Sequence, residues 1–255
     1  MAALLSPIQI QTCQKNFPEL TFGLNTIKLD HLNDKILGKE KQFAQDNLSP
    51  TEQERFFSFK YRKRQVEWLG GRVAAKKAVT SLLTDNSKGT PNFPALSIDA
   101  TPQGRPVLHS KHVSSPIDIS ISHSGNLAVA LAVSNGLCGI DIQVITNTVA
   151  KVKSRFASKA EEQIIRQLPC CKTYTKEVGL AMLWSAKEAF RKGVVCKPVL
   201  GFLEVSLEEV CGNIEQGLIG IFTCSRPGEA RQMKAFFTII NTFAAAITYQ
   251  PLEDL

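Results

Sequence analysis

An internal likeness constrains the fold of this chain more than any single residue does. Ala74-Ala75-Lys76-Lys77-Ala78-Val79 is echoed by Ser185-Ala186-Lys187-Glu188-Ala189-Phe190, and both hexapeptides lie in stretches of helical character. About fifty residues after each comes an apolar run suited to a strand, Leu127 to Val133 and Phe243 to Thr248. Two related α+β halves meeting near residues 134 to 138 would produce this pattern. So would chance likeness between two amphipathic helices, and the echo alone does not choose. A chain of 255 residues has room for one large domain or two modest halves, and needs no disulfide or metal to complete its core.

Local signals fill in the elements. Residues 1 to about 48 mix short apolar and polar stretches and read as a strand or two plus loops. Ser49-Pro50-Thr51-Glu52 is a helix start: Ser caps, Pro suits the first helical position, and Glu three residues on closes a capping box. After a hitch near Ser58, Tyr61 to Leu83 predicts a long amphipathic helix. Its apolar positions are Val66, Leu69, Val73, Val79 and Leu83, with Arg62, Lys63, Arg64, Lys76 and Lys77 between them. Asp85 to Pro94 is rich in turn formers, and Thr101 to Pro106 is a second turn. From Ile117 the period changes to two, followed by the Leu127 to Val133 run, an Asn135-Gly136 turn and a strand over Cys138 to Val144. Ser158-Lys159-Ala160-Glu161 is another capping box, opening a helix toward Leu168. Leu180 to Lys192 is helical again, and strands and turns occupy the remainder.

Composition narrows the function classes. Thirty Lys and Arg against twenty-three Asp and Glu give +7, a balance that attracts anions: nucleic acid, an anionic membrane face, phosphate-rich small molecules or an acidic protein. The most apolar stretch, Phe236 to Tyr249, is interrupted by Thr238, Asn241 and Thr242, too short and too polar for a membrane span. The seven cysteines form no CxxC, and the adjacent Cys170 and Cys171 suit no common zinc or redox spacing. The start, Met-Ala-Ala-Leu-Leu-Ser-Pro, has no basic n-region. The expectation is a reduced, cytoplasmic protein.

Three segments could carry chemistry, and each also has a plain reading. Ile119-Ser120-Ile121-Ser122-His123-Ser124-Gly125 ends a strand with hydroxyls, a histidine and a glycine, able to grip phosphate, or simply a Ser-rich turn. In Gly139-Ile140-Asp141-Ile142-Gln143 the strand period puts Asp141 and Gln143 on one face, where oxygens could hold Mg2+, or merely be solvated. In Trp184-Ser185-Ala186-Lys187-Glu188-Ala189-Phe190-Arg191-Lys192 a spacing of four aligns Trp184, Glu188 and Lys192 on one helical stripe, which is also how an ordinary surface ion pair looks.

In this order the three segments resemble the 4′-phosphopantetheinyl transferases, in particular the larger class that activates surfactin- and enterobactin-type synthetases. The likeness runs from about Ser49 to Lys192. It implies an α+β pseudo-dimer of two similar halves with the active site at their interface: residues 1–136 as the coenzyme A-binding half, residues 137–255 as the half with the metal, the catalytic helix and the carrier contact. It implies an enzyme that moves the phosphopantetheine arm of coenzyme A to a carrier-protein serine and releases 3′,5′-ADP, with Mg2+ (or Mn2+) as metal and coenzyme A as co-substrate. Asp141 matches the family's metal aspartate. Glu188 matches the glutamate that binds metal and serves as or orients the base, and Lys192 the lysine at the pyrophosphate. Among the nucleotide-binding positions, His123, with Ser122 beside it, matches the histidine at the 3′-phosphate, and Arg55 a basic residue that also reaches it. Gly104-Arg105-Pro106 looks like the Gly-Lys-Pro turn beside the adenine.

The residues fit that chemistry. Charge developing on phosphoryl oxygens calls for a metal and a cation, and without Walker or Rossmann glycines, phosphate must be held by basic side chains. One departure is Gln143, where family members often carry Glu; a neutral amide removes one negative charge, and metal binding should weaken. The basic balance agrees with an acidic apo carrier, acyl or peptidyl, as partner. The segment Val152 to Gln167, with Lys151, Lys153, Arg155 and Lys159, is a carrier contact or a solvated face. Neither nucleic acid nor membrane is expected as partner, and the expected state is a monomer. Two other readings stay open: a family member that binds coenzyme A without transfer, and a basic nucleic-acid-binding module on the Tyr61 to Lys77 helix. The latter lacks zinc-finger or RNP-like patterns.

Overall fold

The computed structural model describes residues 4–83, 91–113, 115–168, 176–228 and 231–254. Contacts divide the chain into two compact units, residues 21–136 and residues 137–255 together with 1–20. Each is an α+β unit holding a five-stranded sheet and one long helix.

In chain order the elements begin with helix α1 (Pro7–Asn16), which belongs to the second unit, and continue through the first: β1 (Phe22–Lys28), α2 (Leu29–Ile36), α3 (Glu40–Asn47), α4 (Pro50–Phe57), α5 (Arg62–Leu83), β2 (Ser97–Ala100), β3 (Pro106–His109), β4 (Ile117–Ser124) and β5 (Leu127–Ser134). The sheet order is β1-β5-β4-β3-β2. Ser49 caps α4 with the reciprocal Ser49–Glu52 box, and Ser58 ends it before α5 starts. Helix α5 lies on β1, β4 and β5. Its Val66, Leu69, Val73, Ala74, Ala78 and Val79 pack with Ala128, Ala130 and Ala132, small side chains that let helix and strand approach closely. Most of the turn-rich stretch from Asp85 lies outside the described residues, as do Cys170 and Cys171. The Thr101–Pro106 turn is present, with Gly104 at φ +87°, a conformation that favours glycine.

Two expectations are corrected here. Described residues 4–48 hold one strand and three helices instead of the strand or two with loops expected of residues 1 to about 48. Ser6-Pro7 with Gln9 is a capping box of the same kind as that at Ser49, with Gln in place of Glu, and starts α1; α2 is a two-turn helix that buries Leu29, Leu32 and Ile36. The first twenty residues, expected with the half 1–136, group with the other unit. Gln9 Nε2 donates to Thr238 Oγ1 at 2.9 Å, and Phe17 meets Tyr249 edge-on.

The second unit continues with β6 (Gly136–Val144), α6 (Asn147–Lys151), α7 (Lys159–Gln167), α8 (Lys176–Gly193), β7 (Val205–Asn213), β8 (Gly217–Cys224), β9 (Gln232–Ile240) and β10 (Phe243–Pro251). The sheet order is β6-β10-β9-β8-β7, so in both units the first strand pairs with the last and the rest follow in descending order. Helix α8 lies on β9 and β10, and its Leu183, Ala186 and Phe190 join Phe156, Phe222 and Phe237 in the core. Two similar halves, and not chance likeness between helices, account for the sequence echo.

Candidate active site

Strand β6 and helix α8 meet at a glycine. A Cβ built on Gly139 would lie 1.8 Å from the Ala189 carbonyl oxygen, so only glycine admits the helix at this depth. Two residues further along β6, on the same face by strand period, comes Asp141, which is buried. Lys192 on α8 donates from Nζ to Asp141 Oδ1 at 2.8 Å and to the Ile140 carbonyl at 3.0 Å. One turn earlier on the helix, Glu188 accepts from Arg191 at 2.9 Å. Arg191 is fixed in turn by the Leu200 carbonyl and by stacking 4.4 Å above the Phe202 ring.

Burial pushes the Glu188 carboxyl above the usual carboxylate range. The positive charge of Lys192 opposes this, the negative charge of Asp141 adds to it, and Arg191 opposes it. The structure therefore brings Asp141, Glu188 and Lys192 into one electrostatic neighbourhood. Two partly or fully buried carboxylates that oppose each other's ionisation form a hard-oxygen pair suited to Mg2+, which takes few protein ligands and keeps water or substrate oxygens for the rest. Among the described residues no three His, Cys, Asp or Glu form a metal cluster. Gln143 is half-buried, and its side-chain nitrogen donates to the Val144 carbonyl at 3.0 Å. Trp184, aligned with Glu188 and Lys192 by spacing, packs between Phe156 and Phe202.

The nucleotide-type residues all lie in the unit of residues 21–136. Arg55 is exposed on α4, over the Phe59 ring at 4.9 Å. Arg105, after the Gly104 turn, is held by Asp118 through a bidentate pair, Nε to Oδ1 at 3.0 Å and the second nitrogen to Oδ2. Arg105, Pro106, Leu108, Val113, Pro116 and Asp118 line an open cavity of about 400 Å³. On β4, Ser122 is buried and His123 exposed near the hairpin end, opposite Ala128.

Three features escaped sequence reasoning. Arg191 stands in the quoted motif, but nothing in its spacing says that it pairs with Glu188. Arg72 on α5 is largely buried over Trp68, and desolvation lowers its pKa despite the nearby Glu52 and Asp99, with Arg55 lowering it further. Lys76, which reads as a charge between apolar positions, and Lys187, within the quoted Trp184 to Lys192 motif, are both fully buried. In the basic segment, Lys151, Arg155 and Lys159 are exposed while Lys153 is engaged by Glu162 at 2.6 Å.

The family profile described as 4′-phosphopantetheinyl transferase, N-terminal, matches residues 37–135. The holo-[acyl-carrier-protein] synthase of Geobacillus sp. (strain WCH70) is 30% identical over 108 residues, 42% of this chain and 89% of the relative. That of Streptococcus mutans is 40% identical over 92 residues, 36% of this chain and 76% of the relative. A crystal structure of a holo-(acyl-carrier-protein) synthase from Bacillus anthracis in complex with CoA superposes with TM-score 0.39 at 26% identity, covering 45% of this chain and 96% of that one. With relatives of this identity matched over most of their length, the chain belongs to the phosphopantetheinyl transferase superfamily.

Proposed function

We propose that this protein transfers the 4′-phosphopantetheine arm of coenzyme A to the serine hydroxyl of an apo carrier protein, in a Mg2+-dependent reaction that releases 3′,5′-ADP. The observation that carries this reading is the buried Asp141 gripped by Lys192, with Glu188 one helical turn away and its carboxyl raised. In the reaction the serine oxygen attacks the β-phosphorus of coenzyme A. The new Ser O–P bond forms as the bond to the bridging oxygen breaks, and 3′,5′-ADP leaves with that electron pair. Glu188, directly or through one water, accepts the serine proton; a carboxyl raised by burial is a stronger base than an exposed one. Lys192 would neutralise charge growing on the phosphoryl oxygens. Asp141 and Glu188, with Gln143 on the same strand face as Asp141, would hold the Mg2+, whose contribution when bound is to neutralise pyrophosphate charge.

Arg55, Ser122, His123 and the Gly104-Arg105-Pro106 turn are assigned to the nucleotide end of coenzyme A. Arg105, pre-oriented by Asp118, shapes that turn rather than standing as a loose cation. The basic balance supports an acidic carrier as partner. Two halves within one chain support a monomer, and the lack of paired cysteine motifs supports a reduced, cytoplasmic setting. No helix among the described residues is long and apolar enough to cross a membrane.

The test is the intact mass of an apo carrier incubated with this protein, coenzyme A and Mg2+, beside reactions with EDTA or with Glu188→Ala. The expected result is a gain of one phosphopantetheine, abolished in both controls. Coenzyme A binding without mass gain on several carriers would favour a non-transferring family member. Absence of coenzyme A binding would overturn the reading of the nucleotide residues.

A further inference from the structure

The two units share a buried device that the site just described does not use. In the first, Glu52 closes the α4 capping box by accepting from the Ser49 backbone N–H at 2.8 Å and also accepts from the Ile98 N–H at 3.1 Å. Lys76 donates to Glu52 at 2.5 Å and to the carbonyls of Asn47 and Phe93, both at 2.9 Å. In the second, Glu161 closes the α7 capping box through the Ser158 N–H at 2.8 Å and accepts from the Leu207 N–H at 2.9 Å. Lys187 meets Glu161 at 2.6 Å and donates to the carbonyls of Phe156 at 2.6 Å and Phe202 at 3.2 Å.

The correspondence is residue by residue. The first carbonyl lies two positions before the capping serine in each unit, and the second lies five positions before the strand N–H that the glutamate binds. All three ammonium protons are used in each case. Both lysines are fully buried and both glutamates nearly so. An arrangement repeated at this detail is a built clamp that ties the long helix to a capped helix start, the chain before it and the entering strand.

The difference lies in the next residue. After Lys76 comes Lys77; after Lys187 comes Glu188. We propose that the Lys187–Glu161 clamp positions Glu188, setting the rotation and depth of α8 so that its carboxylate meets the metal held with Asp141. This rests on the function proposed above. A helical side chain ends about 5 Å from the axis, so a rotation of about 10° displaces a carboxylate by roughly 1 Å. A displacement of that size at a reacting group can cost about a hundredfold in rate.

The duplicated clamp supplies its own control. Lys187→Met and Lys76→Met each remove the clamp's lysine from a buried carboxylate, with Glu52 keeping Arg72 at 3.9 Å. Glu161→Gln and Glu52→Gln are milder, since Gln is also accepted in a capping box, and they serve if a methionine variant does not fold. The first readout is Mn2+ affinity by electron paramagnetic resonance, and the second is the Mg2+ dependence of carrier modification. Melting temperatures establish that each matched pair is comparably destabilised. The expected result is at least tenfold weaker Mn2+ binding in the Lys187 and Glu161 variants, with the Lys76 and Glu52 variants within about twofold of wild type. Equal Mn2+ affinity across matched pairs would overturn the positioning role and leave a purely structural clamp. Wild-type protein that binds Mn2+ but modifies no carrier would overturn the proposed function while the affinity comparison still decides the clamp. Wild-type protein that binds no Mn2+ would overturn both.

Discussion

Glu188 faces opposed demands. As the proposed base it must ionise, yet burial and the neighbouring Asp141 hold its carboxyl above the usual carboxylate range. A carboxyl whose folded pKa exceeds its unfolded one stabilises the fold at low pH, and this contribution is lost as pH rises through the folded value. At neutral pH in chelator, Glu188→Gln should therefore melt above wild type while losing at least about a hundredfold in transfer. Calorimetry and a mass-based rate measure the two; a lower melting temperature would mean that the Arg191 pair outweighs desolvation. Gln143→Glu should move the Mg2+ requirement for half-maximal rate downward, since it adds a negative charge on the strand face of Asp141; an unchanged or higher requirement refutes this. That Asp141, Glu188 and Lys192 lie near one another was legible at this scale, because they stand at informative spacings within a recognisable motif. Lys187 was not, because a lysine in sequence reads as solvated and its partners lie 15 to 31 positions away along the chain. The partnership of Arg191 was hidden for a related reason: its orientation depends on Phe202 and Leu200, which only the folded chain brings beside it.

Elements were legible where their signal is local. The capping boxes at Ser49 and Ser158, the period-two run from Ile117 and the long helices are written within a few residues each. The short helices α2 and α3 are not, because two turns give too few periods to stand out, and their burial is decided by tertiary packing. The contact between β6 and α8 also depends on residues fifty positions apart. Gly139→Ala must move either strand or helix, and so should cost about 1–3 kcal/mol in urea denaturation. It should also reduce transfer beyond its effect on stability, because the shift parts Lys192 from Asp141. Gly23→Ala, whose Cβ would lie 1.9 Å from the Ala78 carbonyl oxygen, should destabilise similarly. Activity that merely tracks the folded fraction would count against the strand–helix contact as a determinant of site geometry. The segment after α8 is clipped by Arg226, which binds Glu204 and the Val199 and Pro198 carbonyls. Hydrogen bonds from Arg226 and from the Gly201 N–H hold the Glu204 carboxyl down to about 2. Its contribution is present above its unfolded value near 4.5 and lost as pH falls toward about 2. Glu204→Gln should flatten the acid limb of stability in that window and leave it unchanged at pH 7 to 8 in slope.

Across the whole molecule, duplication and specialisation are separable. Both units keep the strand order, the helix-admitting glycine and the buried Lys–Glu clamp. Among the positions that differ are those to which chemical roles are proposed. Glu188 stands where the first unit has Lys77, while His123 and the serines before it belong to the first unit alone. The formal charge of +7 belongs to neither specialisation and acts at longer range. If an acidic carrier is the partner, complementary charge speeds encounter, and added salt weakens it as the Debye length falls from about 10 Å at 0.1 M toward about 3 Å at 1 M. Bond making depends on groups partly withdrawn from solvent and is screened far less. The apparent KM for carrier should therefore rise several-fold between 0.05 and 0.5 M salt while kcat changes less than about twofold, when magnesium is held saturating. Lys151→Glu, Arg155→Glu and Lys159→Glu together should flatten that salt dependence and raise KM at low salt. If KM is insensitive to salt, or the triple variant behaves as wild type, the exposed basic segment is a solvated face and the carrier is recognised by contacts other than charge.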